Sequence, residues 1–99
     1  MEQKDINKIE LAGVIGPVRI IKTGEMYAVS FPLATTERYF SKSGECLEET
    51  TWHNCRYMAK KDEDLSRIYK GARIHVTGKM RVTECEGRTF GEVIIQKIF

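Results

Sequence analysis

What this sequence has little of narrows its function before any motif is read. Its 99 residues include three cysteines, two prolines and one tryptophan. An odd cysteine count without a CxxC pair excludes a disulfide framework of the secreted kind. It also leaves Cys46, His53, Cys55 and Cys85 without the spacing of a structural zinc site, so no metal is expected. No stretch approaches the roughly 20 apolar residues of a membrane span. Met1-Glu2-Gln3-Lys4-Asp5 lacks the apolar run of a signal peptide, and a cytoplasmic protein without a membrane partner is the expectation. Phosphate-cradling glycine loops are missing, and no cysteine has a motif that would lower its thiolate pKa. An enzyme would have no constellation to work with, so neither catalytic residues nor cofactors are expected. An excess of one charge is missing too: 16 Lys and Arg against 14 Asp and Glu leave a formal net charge of +2. Any attraction to nucleic acid must therefore come from where the basic residues sit.

What is present is one domain's worth of strand-like sequence. Residues 7–14 and 18–22 are rich in β-branched side chains and read as one long first strand bent at Gly16-Pro17. After a turn at Thr23-Gly24-Glu25, residues 26–35 set Tyr27, Val29, Phe31 and Leu33 against Ala28, Ser30, Pro32 and Ala34, a half-buried second strand. Residues 37–50 have no steady period and predict a long loop or an extended hairpin tip. A third strand spans 51–58. Residues 60–69 predict a short helix, with Asp62-Glu63-Asp64 in its first turn and Gly71 as its stop. Residues 72–82 alternate one apolar with one basic face; a tight hairpin at Glu84-Cys85-Glu86-Gly87 leads to a fifth strand over 88–99.

Two faces carry the functional reading. In the third strand Trp52, Asn54, Arg56 and Met58 point one way and His53, Cys55 and Tyr57 the other. A tryptophan beside an amide and a guanidinium suits the flat bases and charged backbone of a single nucleic-acid strand. In the fourth strand Arg73, His75, Lys79 and Arg81 form a basic row, of which Lys79 and Arg81 near the hairpin are the better phosphate ligands. Tyr39 and Phe40 are either stacking residues or anchors that pin their loop.

Five strands with a helix between the third and fourth is the order of the OB-fold, a small Greek-key barrel. Four segments occur in the order and approximate spacing of bacterial single-stranded DNA-binding proteins (SSB): Asn7-Lys8-Ile9-Glu10-Leu11-Ala12-Gly13, Leu33-Ala34-Thr35-Thr36-Glu37-Arg38, Thr51-Trp52-His53 and Lys70-Gly71-Ala72-Arg73-Ile74-His75-Val76-Thr77-Gly78-Lys79-Met80-Arg81. The chain resembles that family over nearly its whole length. The resemblance implies an all-β, single OB-fold domain over residues 1–99 that binds single-stranded DNA with little sequence preference and assembles as a homodimer or homotetramer. The family's aromatic platforms would fall at Tyr39, Trp52, Met58 and Cys85, its DNA-path arginines at Arg19, Arg81 and Arg88, and its interface histidine at His53. Two platforms are not aromatic here, which implies weaker binding or a shorter footprint.

A single domain lacking the acidic, hydrophobic-tipped tail of typical members is the expectation. A compact form of this kind is similar to SSB-derived primosomal replication proteins and to accessory SSBs of mobile elements. Replication-restart or mobile-element proteins are then the expected partners. The alternative is a protein-interaction or primosome-type OB module with reduced DNA binding.

Overall fold

The computed structural model describes residues 4–99; Met1, Glu2 and Gln3, which open the stretch read above for a signal peptide, lie outside it. Six strands follow one another: β1 (Ile9–Ile15), β2 (Arg19–Thr23), β3 (Met26–Phe40), β4 (Cys46–Lys60), β5 (Arg73–Cys85) and β6 (Arg88–Ile98). β1 and β2 are the halves of the bent first strand. At the bend the chain changes partners: β1 pairs with β5 and meets β3 only at Val14 and Ile15, whereas β2 pairs along β3. Pro17 brings no N–H to a ladder, so the break falls where a regular strand could not continue.

The sheet runs β1-β5-β6-β4-β3-β2, and the β1–β3 pairing closes the first five of these into a barrel. β4 and β6 are parallel and meet only at Cys55–Val93 and Arg56–Ile94. This is the all-β Greek-key barrel of the OB-fold. Its core takes alternate residues: Val29, Phe31 and Leu33 from β3, Cys55 and Ala59 from β4, Ile74 and Val76 from β5, Val93 and Ile95 from β6. Full burial of such apolar side chains stabilises by about 1.5–3 kcal/mol each. Two glycines let the strands close on one another: a Cβ at Gly13 would sit 2.1 Å from the Ala34 carbonyl oxygen, and one at Gly78 2.0 Å from that of Ile94.

The predicted helix over residues 60–69 does not form. The chain there makes successive turns, closed by Glu63 N–H to Lys60 O, Ile68 N–H to Leu65 O and Ala72 N–H to Tyr69 O. Two of the three acidic residues are spent locally. The Tyr57 hydroxyl and the Lys60 N–H both donate to the Glu63 carboxylate, and the Ser66 N–H donates to Asp64 Oδ1 at 2.9 Å. An aspartate that bonds the backbone two residues on favours a turn over a helix. Ile68 and Ala72 still reach the core and plug that end of the barrel.

The irregular stretch over 37–50 is an extended hairpin. β3 and β4 pair without interruption from Met26–Lys60 to Phe40–Cys46, which leaves only a short turn closed by Ser41 N–H to Glu45 O. Its distal half stands clear of the barrel as a two-stranded arm. β5 and β6 form a second, shorter arm whose turn residues Glu86 and Gly87 have φ of 52° and 75°. Positive φ at both central residues is the turn that matches the twist of a hairpin. Among the described residues no helix is long and apolar enough to cross a membrane.

Candidate nucleic-acid interface

Strand register assembles the site. On β3 and β4 the outward pairs are Ala34–Trp52, Pro32–Asn54, Ser30–Arg56 and Ala28–Met58. The inward face carries Leu33, Phe31 and Val29, so alternation alone drives these partners outward. Across the barrel the outward pairs are Lys79–Ile94, Arg81–Glu92, Thr83–Phe90 and Cys85–Arg88. Small residues on β3 and large ones on its flanks leave a groove of about 520 Å³, with Ser30, Pro32 and Asn54 among its lining and Arg19, Arg56, Arg81, Phe90 and Glu92 around them.

Trp52 is 59% exposed. Its ring edge packs on a floor made by Gly16 and Pro32, where a Cβ at Gly16 would sit 2.7 Å from Pro32 Cγ and 3.1 Å from Trp52 Cζ3. Glycine at that bend thus makes room for the indole. Phe40, 76% exposed, shares the Trp52 side of the β3–β4 ribbon by alternation. Tyr39, paired with Leu47, lies on the reverse side. Both sides of the arm are open to solvent, so the arm is not pinned to the barrel by either ring. Met58 occupies the far end of the outward face.

The basic residues divide by their partners. Arg81 bonds Glu92 Oε1 through Nη2 at 2.5 Å and Nε at 3.2 Å. Arg56 Nε lies 3.6 Å from Glu92 Oε2, and that nitrogen is buried without a hydrogen bond. Arg19, Lys79 and Arg88 are exposed and carry no ion pair among the described residues. The predicted basic row therefore splits. His75 Nε2 meets Glu10 Oε2 at 2.7 Å and stacks on Phe99 with centroids 4.4 Å apart, at the other end of β5 from the groove.

His53 points away from the groove, with Nε2 at 2.9 Å from Thr35 Oγ1. Cys55 is buried, and burial pushes its thiol up to about 12, which leaves it inert as a nucleophile. Cys46 and Cys85 are exposed free thiols. Among the described residues no three His, Cys, Asp or Glu side chains converge to hold a metal.

Sequence reasoning missed Phe90, Glu92 and the Gly16–Pro32 floor. Phe90 and Glu92 follow Arg88 at strand spacing, and counting outward from a two-residue turn at Glu86-Gly87 would have set Arg81 opposite Glu92. The floor has no local signal, since it depends on a strand crossing.

The sequence model described as the Single-strand binding protein family matches residues 6–98. The Single-stranded DNA-binding protein of Xylella fastidiosa is 30% identical over 98 residues, which are 96% of this chain and 60% of that protein. Its namesake from Neisseria meningitidis serogroup A is 29% identical over 87 residues, 84% of this chain and 49% of that protein. The chain thus spans 49–60% of the length of these relatives. Among solved structures, a Plasmodium falciparum SSB in complex with ssDNA superposes with a TM-score of 0.71 at 28% identity, covering 95% of this chain and 90% of that one. A deletion mutant of the Thermus aquaticus single-stranded DNA binding protein has a TM-score of 0.74 over 95% of this chain and 49% of its own, and at 22% identity it is a likeness of fold.

Proposed function

Because the chain belongs to the single-strand binding protein family, we propose that it binds single-stranded DNA, without catalysing a reaction on it, along the groove between β4 and the β5–β6 arm. The observation that carries this reading is Trp52, a large ring 59% exposed that packs at the Gly16 bend beside Pro32 of the groove lining. A ring so placed offers one face to a base, and stacking of that kind contributes about 1–3 kcal/mol per base whatever the base is. Phe40 extends the stacking path onto the arm, Tyr39 catches a strand that passes around it, and Met58 supplies apolar contact at the far end. Arg19, Lys79 and Arg88 reach phosphates, with Arg56 and Arg81 beside them.

Self-association fits the open edge of β1, which pairs with β5 along one side and meets β3 only at Val14 and Ile15. A second copy pairing there would give a homodimer, and two such dimers a homotetramer. His53 belongs to this region, since its partner Thr35 borders Gly13 of β1. The setting we assign is cytoplasmic, in replication, repair, recombination or mobile-element transfer.

Binding of labelled oligo-dT, competed by duplex DNA and by RNA, tests the reading, with the sedimentation mass reporting assembly. Tight, salt-sensitive binding that duplex fails to compete supports it; no binding at low salt overturns it. Glu92, which neutralises part of the charge on Arg56 and Arg81, favours a second reading, an OB module for protein partners with weakened DNA binding. In that case Trp52→Ala would leave the cellular function intact.

A further inference from the structure

We infer that Glu92 is an internal competitor for the groove's arginines, giving up Arg81 to a bound phosphate as its carboxylate transfers to Arg56. The inference rests on the reading of the groove as a strand-binding surface. One carboxylate faces two guanidinium groups, and it serves them unequally. Arg81 holds Oε1 with two nitrogens, at 2.5 and 3.2 Å, while Arg56 Nε stops at 3.6 Å from Oε2. That Nε is shut away from solvent with no acceptor, a condition that costs stability until an acceptor arrives. Water cannot reach it. Glu92 can, once Arg81 lets go.

Arg81 is the partner built to leave. Its side chain is 49% exposed and that of Arg56 42%, but only Arg56 has its Nε enclosed, and Arg81 stands on the same outward row as Lys79. A phosphate oxygen offers it the same charge-assisted geometry that the carboxylate now provides. Released, Glu92 needs to move by well under 1 Å to bring Oε2 within hydrogen-bond range of Arg56 Nε. The loss of the two-nitrogen pair is thereby offset only in part, by a single new bond at a buried donor. A free strand meets a groove whose arginine is already occupied, and only a correctly seated phosphate exchanges for it.

The test is a double-mutant cycle on oligo-dT affinity at fixed low salt, using wild type, Glu92→Gln, Arg81→Gln and the double variant. Glu92→Gln is expected to tighten binding about 5-fold, the size of one well-formed surface ion pair. In the Arg81→Gln background the same change should do almost nothing. A gain that persists undiminished without Arg81 would be general charge removal and would overturn the competition, as would weaker binding by Glu92→Gln. If wild type itself fails to bind, the strand-binding reading falls and takes this inference with it. If wild type binds and the cycle is additive, only this inference falls. Should Glu92→Gln not fold, arginine Nε–Hε signals of the wild type report directly. Saturation with oligo-dT should move the Arg56 Nε–Hε signal to the position of a hydrogen-bonded donor and shift that of Arg81, and an unchanged Arg56 signal overturns the transfer.

Discussion

Within the barrel, Val29, Phe31 and Leu33 of β3 are buried while Ser30, Pro32 and Ala34 between them are not; further along the same strand Glu37, Arg38, Tyr39 and Phe40 are all exposed. The backbone is equally extended in both regions, and the register with β4 continues through both. What changes is that the barrel offers one side of the strand a core, whereas the arm has solvent on both. The barrel therefore holds the stability, and the binding chemistry we propose falls to the arms and the outward face. Substitutions in one region should leave the property of the other nearly untouched.

The largest expected effect lies in the barrel. Leu33 is fully buried, and Leu33→Ala should lower unfolding free energy by about 2–5 kcal/mol in a urea titration. The fraction that stays folded should bind oligo-dT as wild type does. Alkali attacks the same region. Burial pushes Cys55 up to about 12 from 9.0, and the hydrogen bond to Glu63 pushes Tyr57 up to about 12 from 10.0. Both folded values exceed the unfolded ones, so the stability they contribute is complete below pH 9 and is lost as pH rises from 9 through about 12. Unfolding midpoints followed across that window should fall, and Tyr57→Phe should flatten the upper part of the decline. Thiol titration gives a matching sign: Cys46 and Cys85 react in the native protein and Cys55 only on unfolding.

On the outward face the balance reverses. Trp52→Ala should weaken oligo-dT binding by about 1–3 kcal/mol while its melting curve shifts little, because the ring is largely exposed. Smaller still are the arm residues. Phe40→Ala should cost less than Trp52→Ala, since the arm holds its ring with no floor beneath it, and Tyr39→Ala less again because that ring lies on the reverse side. A Tyr39 effect larger than that of Phe40 would show that the strand follows the other side of the arm.

How much of this the sequence disclosed follows from the same contrast. Residues 51–58 and 72–78 alternate because each stretch has a core side, and their faces were readable from spacing alone. The same alternation misleads at Met80 and Val82, which are exposed because β5 leaves the barrel there. Residues 37–50 were opaque for the opposite reason: with no buried side, nothing imposes a period on them. Asp62-Glu63-Asp64 looked like a helix start, but Tyr57 and Ser66 claim two of its carboxylates and hold turns instead. Trp52, Arg56 and Met58 could be set on one face by counting. Glu92 could be set opposite Arg81 by counting back from the hairpin turn, but its meeting with Arg56 could not, because that contact crosses a parallel strand pairing.

In the function we propose, Trp52 stacks on bases beside a groove flanked by phosphate-binding cations. Tryptophan fluorescence, which Trp52 alone supplies, measures it directly in an oligo-dT titration repeated at rising salt. We expect saturable quenching, with the logarithm of the binding constant falling linearly with the logarithm of salt concentration by about 0.7 per phosphate contacted. Unquenched fluorescence, or binding indifferent to salt, would contradict it.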